Sequence, residues 1–388
     1  MPDPLTGPEA DPAVDLATEP EPEPEPGAEL EGEVVAAALP APSPRATTLS
    51  LAILVTLGIF AGLLFVPVPY AIGSPGPTQD TLGEQDGTPL IAIDNTPTYE
   101  STGELRMTTV AFAGGPGYPV TLPLVIRAWL SGSRVVSPVE AVFPPDRSQG
   151  EIDQRNQAEM ISSQENATVA ALEELGYAVP ARLEVAGTVD GTGAVGVAAQ
   201  GDVVVALEGS AVATYTALVE ALSRVEPGRR VSLGIERDGA PLDLEIVTGE
   251  RAGGGSQLGV LIDPRFELPV DVTIQIEDIG GPSAGTMFAL GIIDKLTPAD
   301  EADGVVIAGT GTMDVDGTVG PIGGIRQKLV GARRDGATWF LAPADNCDEV
   351  VGNVPGGLRV ARVATLHDAR AAMTAIGAGR GDTLPTCG

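Results

Sequence analysis

Hydrophobic residues along the chain fall into distinct textures. The first is one unbroken apolar run, Leu49–Val66, 18 residues without a charge. At about 1.5 Å rise per residue it would span roughly 27 Å as a helix, close to the hydrocarbon thickness of a bilayer. Next come isolated signals. Pro89–Ile93 and Glu104–Phe112 read as strands from their β-branched content and alternation. Glu151–Leu175 reads as a long helix, with Met160, Ala167, Ala171 and Leu175 at helical spacing and Gly176 placed to close it.

Between residues 181 and 250 short strands (Asp202–Leu207, Arg230–Arg237, Leu242–Val247) surround one helix, Thr214–Ser223. Glu208-Gly209 and Asp238-Gly239 supply turn chemistry there. Beyond the flexible-looking joint Gly253–Ser256 the pattern alternates: strand Val270–Ile276, helix Ser283–Lys295, strand Gly304–Thr310, helix Ile325–Asp335, strand Ala337–Ala342. That alternation predicts a layered domain of helices on a sheet. With the β-rich segment, the whole is α+β. The expected divisions are 1–47, 48–68, 69–180, 181–250, 251–378 and a tail, 379–388.

Charge changes the picture at the N-terminus. Glu19–Pro26 alternates Glu and Pro, so residues 1–47 are expected to be disordered. The apolar run at 48–68 is then expected to be an uncleaved membrane anchor. It is long for a signal peptide, starts late, and no clear Ala-x-Ala site follows. Arg45 is the only nearby base on its N-terminal side, which places the N-terminus in the cytoplasm and the bulk of the chain outside. The chain carries 53 acids against 22 bases, a net charge of −31, and such a surface repels nucleic acid.

Lysine occurs only at Lys295 and Lys328, each followed by Leu, so no Gly-Lys-Ser/Thr phosphate loop exists. Two cysteines, Cys347 and Cys387, are too few for a disulfide scaffold and wrongly spaced for a zinc site, and no metal or other cofactor is expected. A Cys347–Cys387 bridge fits an extracytoplasmic location, and two free thiols remain the alternative.

Gly280-Gly-Pro-Ser-Ala-Gly285 lies between a strand and an apolar helix. Ser283 there is either an N-cap or a serine nucleophile on a tight turn. A nucleophile needs a base. The one histidine, His367, lies in what reads as a surface helix without partners. Lys328 follows a Gly-Gly helix entry beside Leu329 and Val330, a setting that favours a neutral amine. In a chain where arginine has displaced lysine elsewhere, its retention points to a role that a guanidinium cannot fill.

Gly281-Pro-Ser-Ala-Gly285, Thr310-Gly-Thr312 and Gly317-Thr-Val-Gly-Pro-Ile-Gly-Gly-Ile-Arg-Gln-Lys328 together resemble the proteolytic domain of Lon-family peptidases. The resemblance extends to the membrane-anchored, PDZ-containing subgroup often called the YlbL type. It implies a Ser283–Lys328 dyad, with Thr310 orienting the lysine. Two positions depart from the family pattern: Gly280 stands where Lon proteases carry Asp, and Thr312 where they carry Glu. Gly201–Gly209, the following helix and Val231–Val247 resemble the PDZ domains of bacterial envelope proteases, without an obvious Gly-Leu-Gly-Phe-like loop. Met160–Ala167 resembles the early helix of the Lon domain, which implies that the PDZ-like segment is inserted within it. The expected activity is an ATP-independent, membrane-anchored serine endopeptidase acting on protein or peptide substrates, received through exposed C-termini. Lon-like domains often form homo-oligomeric rings. The alternative is a non-catalytic PDZ adaptor on an inert Lon-like scaffold. A Ser–Lys signal peptidase fits poorly, because the spacing and the Gly-Gly entry have no place in one.

Overall fold

The computed structural model describes residues 43–115, 117–251, 255–276 and 279–388. The segment 1–42, most of the stretch expected to be disordered, lies outside them. The chain divides into a unit ending at Ile59 and a unit from Phe60 to Gly388.

The first helix, Pro44–Leu63, is long and apolar enough to cross a membrane, and none of its residues is buried. It begins earlier than the apolar run, so Pro44–Thr47 are helical and not part of a disordered tail. The local reason is a cap: Ser43 Oγ accepts from the Ala46 N–H at 3.3 Å, and Pro44 opens the helix, where a missing N–H costs nothing.

The larger unit contains two main sheets. One is mixed, in the spatial order Arg359–Val363, Trp339–Pro343, Val306–Gly309, Glu104–Ala113, Tyr70–Asp80, Val135–Pro138. The first four run parallel, and Tyr70–Asp80 pairs antiparallel with both of its neighbours. This sheet therefore takes strands from both sides of the β-rich segment in sequence. The other sheet runs Ala240–Val247, Arg230–Arg237, Val203–Leu207, Ala181–Thr188, Val260–Phe266.

This second sheet continues to Phe266, past the expected boundary at 250. Val260–Phe266 pairs antiparallel with Ala181–Thr188. Of the expected joint Gly253–Ser256, residues 253 and 254 lie outside the described residues, and Ser256 belongs to a short pair, Gly249–Glu250 with Ser256–Gln257. Ser256 Oγ also donates to the Val225 carbonyl at 2.7 Å, so the end of the expected joint is fixed.

The Gly285–Leu296 helix is central to the mixed-sheet core. Every residue from Gly285 to Asp294 is buried, and the unbroken apolar stretch Met287–Ile293, which covers every side of the helix, belongs in an interior. It packs beside the long helix Gln149–Glu174, whose Met160, Ala167, Ala170 and Ala171 enter the same core as Met287, Phe288 and Ile292. The long helix starts at Ser148 with a complete capping box to Glu151. The Leu366–Gly377 helix closes the core, with Leu366 and Ala369 inward as their spacing predicts. Cys347 and Cys387 form a disulfide, and the Arg362 N–H donates to the Pro385 carbonyl, so the C-terminal tail is held against the body.

Candidate active site

The Gly280–Ala284 turn is held from both sides by the long helix. The Gly281 N–H donates to the Asn156 carbonyl at 2.9 Å, and Ser163 Oγ donates to the Pro282 carbonyl at 3.0 Å. Gly281 sits at φ +88°, a left-handed conformation that glycine adopts without strain. The helix proper begins at Gly285, with Ala284 in the cap position and no side-chain cap bond. Ser283 is therefore not the N-cap that its sequence context allows. Its side chain is free to point elsewhere.

It points at Lys328. On the Ile325–Arg334 helix, Ile325, Leu329 and Ala332 form the buried stripe, and Lys328 falls on the same face by helical spacing. Lys328 is only 3% exposed, and its Nζ lies 2.7 Å from Ser283 Oγ and 2.8 Å from Thr310 Oγ1. Thr310, at the end of Val306–Gly309, is fully buried and donates its own hydroxyl proton to the Ser283 carbonyl at 2.9 Å. Burial lowers the Lys328 amine to about 7 from an ordinary 10.5. With one N–H directed to Thr310, a neutral amine can turn its lone pair toward Ser283. That arrangement can accept a hydroxyl proton.

The loop ahead of Lys328 is fixed by Asn346, whose side chain accepts from the Ile322 N–H and donates to the Ile322 carbonyl, both at 2.9 Å. Gly324 enters the helix at φ +72°, and a Cβ there would meet Val110 Cγ2 at 2.7 Å. Both reasons favour the second glycine of the Gly-Gly entry.

The two departures from the resemblance have a packing context. A Cβ at Gly280 would come within 2.7 Å of Asn156 Cβ, so this turn has no room for an aspartate. Thr312 lies in a short hairpin opposite Gly320, with its Oγ1 2.3 Å from where a Cβ on Gly320 would stand. His367 is exposed, and its Nδ1 meets Glu174 at 3.0 Å, away from the dyad. Asn156 and Asn346 carry no signal in the sequence, and Ser163 lies in the Met160–Ala167 segment without a role marked for it, because each acts through a contact distant along the chain.

Ser283 and Lys328 open into a cleft of about 450 Å³ whose walls include Thr108, Val110, Met160 and Gly323. A groove of about 950 Å³, lined by Asn156, Gln164 and Gln275, shares Met160, Ile279 and Gly280 with it. Glu104–Ala113 pairs with Val306–Gly309 only as far as Met107. Among the described residues its continuation, Thr108–Ala113, has no strand partner on that side, and it borders the cleft.

A second concavity of about 230 Å³ lies between the Tyr215–Ser223 helix and the edge strand Val260–Phe266. Tyr215, Leu218 and Leu222 face Leu258, Val260 and Ile262 across it. Leu258-Gly259-Val260 thus stands at the start of the edge strand, with Gly259 at φ +77°.

Residues 273–372 match the Lon protease (S16) C-terminal proteolytic domain, and residues 160–248 match a PDZ domain. The second match begins inside the long helix, whose side chains belong to the mixed-sheet core. Lon protease 1 of Sorangium cellulosum is 36% identical over 121 residues, covering 30% of this chain and 15% of that protein. Lon protease 1 of Bacillus subtilis is 33% identical over 102 residues, covering 25% of this chain and 13% of the relative. The chain therefore corresponds to a small part of those relatives. The PDZ domain of the SdrC-like protein from Listeria monocytogenes is 16% identical with a TM-score of 0.20, covering 21% of this chain and 86% of that one, a likeness too slight to carry weight. The chain carries a Lon-type proteolytic domain of the serine peptidase class together with a PDZ domain, in a mixed α+β fold.

Proposed function

We propose that this protein is an ATP-independent, membrane-anchored serine endopeptidase in which Ser283 is the nucleophile, Lys328 the general base and Thr310 a positioning residue. The observation that carries the proposal is the 2.7 Å approach of a buried lysine amine, with no carboxylate partner among the described residues, to a serine hydroxyl that caps no helix. The neutral amine takes the Ser283 proton as Oγ attacks the scissile carbonyl. The ammonium then gives that proton to the leaving amine, and an acyl-serine remains. Water deprotonated by the same amine hydrolyses it. Thr310 holds Nζ in line throughout.

The substrate would lie extended along Thr108–Ala113, adding a strand beside Ser283. The groove at Leu258–Ile262 and Tyr215–Leu222 would receive a hydrophobic chain end, so that the PDZ-like unit, inserted in the proteolytic domain, selects or delivers chains. Quality control or regulated proteolysis of proteins near the membrane fits that combination. The apolar helix and Arg45 support an anchor with the N-terminus in the cytoplasm, and the Cys347–Cys387 bridge suits an oxidising extracytoplasmic compartment.

The test is cleavage of casein by the full-length protein, compared with Ser283→Ala and Lys328→Met. Loss of cleavage in both variants is expected. Equal activity in all three removes the dyad. A wild type that binds peptide C-termini without cutting any substrate supports the adaptor reading instead.

A further inference from the structure

The helix Leu122–Trp129 carries apolar side chains on both its inner and its outer side, an arrangement ill-suited to a surface that meets only water. Its inner side, Val125 and Ala128, is fully buried against Ile72 and Val120. Apart from the exposed Arg127, its outer side is apolar as well: Leu124 and Ile126 are exposed, Trp129 is 64% exposed and Leu130, just after it, 84%. Tyr118, ahead of the helix, is 77% exposed. Contiguous apolar faces of this kind are rare on water-facing surfaces and mark contacts with a protein or a membrane.

Two independent observations choose between those occupants. The first is covalent reach. Val120–Thr121, which lead directly into this helix, pair antiparallel with Pro67–Val68. The apolar anchor helix ends at Leu63, four residues before Pro67. At about 3.5 Å per residue, that strand pair stands within roughly 14 Å of the anchor's end along the chain. The second is charge. From Leu105 to Val139 the only ionisable side chains other than tyrosine are Arg106, Arg127 and Arg134, in a chain carrying 53 acids and a net charge of −31. An acidic body is repelled by an anionic lipid surface, and this acid-free face is one that such a surface does not repel. Tyr and Trp at its rim suit the headgroup boundary, where an aromatic ring has one wet and one apolar side.

We propose that Tyr118 and the Leu122–Leu130 face dip into the headgroup–acyl boundary of the bilayer that holds the anchor, laying the proteolytic body on the membrane surface. The inference rests on the anchor reading of Pro44–Leu63 and adds a second, peripheral contact to it. Phe112, half-exposed on the strand that ends just before this face, also lines the cleft of Ser283 and Lys328. The cleft would thus be held close to the bilayer, favouring polypeptides presented there.

The chain's two tryptophans make the test specific, because Trp339 is only 8% exposed in the core. The full-length protein is reconstituted into vesicles of mixed zwitterionic and anionic lipid, with and without dibrominated acyl chains. The expected result is strong quenching of wild-type emission by the brominated lipid and little quenching in Trp129→Phe, which retains Trp339. Co-flotation with vesicles but no quenching of Trp129 overturns this inference and leaves the anchor standing. Failure to co-float overturns both. Unquenched Trp129 emission that shifts to the blue as protein density rises shows that a second copy covers the face, which also overturns the proposal.

Discussion

Lys328→Met separates the cost of this site from its chemistry. Lowering the amine from 10.5 to about 7 is a gap of about 3.5 units, worth about 4–5 kcal/mol at 1.36 kcal/mol per unit. Between those two pH values the unfolded chain binds a proton at this lysine that the folded chain refuses. Wild-type stability therefore rises with pH across that window, and the penalty is close to its full size at pH 7. Methionine keeps an unbranched stem in the buried site and removes the amine. It also removes the bonds to Ser283 and Thr310, at about 1 kcal/mol each. The variant should thus be more stable than wild type by about 2–3 kcal/mol at pH 7, and less stable by about 1–2 kcal/mol near pH 10.5, where the penalty has all but vanished and the lost bonds remain. Denaturant unfolding of the full-length protein, followed through Trp339 at several pH values, measures the difference. A Lys328→Met variant less stable than wild type at pH 7, with a gap that does not change with pH, refutes the claim that Lys328 is buried against its charge.

The same burial sets the rate profile: kcat/KM should climb through pH about 7 as Lys328 loses its proton, measured with a peptide substrate between pH 5 and 9. Thr310→Val keeps the shape but removes an acceptor that favours the ammonium. Cleavage should fall by about 10- to 100-fold, the loss of one to two hydrogen bonds, and the acid limb should move to lower pH. Gly280→Asp, which restores the family residue, should cost about 1–3 kcal/mol in thermal unfolding because its Cβ meets Asn156, with part of the loss recovered in the Asn156→Gly background. Val219→Glu on the wall of the Leu258–Ile262 groove should abolish binding of a fluorescent peptide with a hydrophobic C-terminus while leaving cleavage of short peptides unchanged.

The sequence made the elements legible where one residue pattern decided them. The long helix was expected at Glu151–Leu175 and runs Gln149–Glu174, and Glu104–Phe112 extends by one residue to Ala113. Ser283 and Lys328, which the structure brings within 2.7 Å, were legible as candidates only: the serine's glycine surround fitted a cap as well as a nucleophile, and the lysine stood out by its rarity. What could not be read depends on chain-distant contacts. Asn156 closes the space beside Gly280, Ser163 anchors Pro282, and Asn346 pins the Ile322 loop, yet each looks like an ordinary surface residue in its own neighbourhood. The edge strand Val260–Phe266 was missed for a different reason. Strands pair by register with a remote partner, here Ala181–Thr188, and the glycines ahead of it imitate a linker.

The central claim is that Lys328 activates Ser283, and a covalent trap tests it most directly. The full-length protein is treated with a fluorophosphonate and digested, and the adduct is located by mass spectrometry. One modified serine is expected, Ser283, labelled at a rate that rises through pH about 7, with no labelling in Lys328→Met. Labelling of Ser283 at the same rate in Lys328→Met, or a single adduct on another serine, contradicts it.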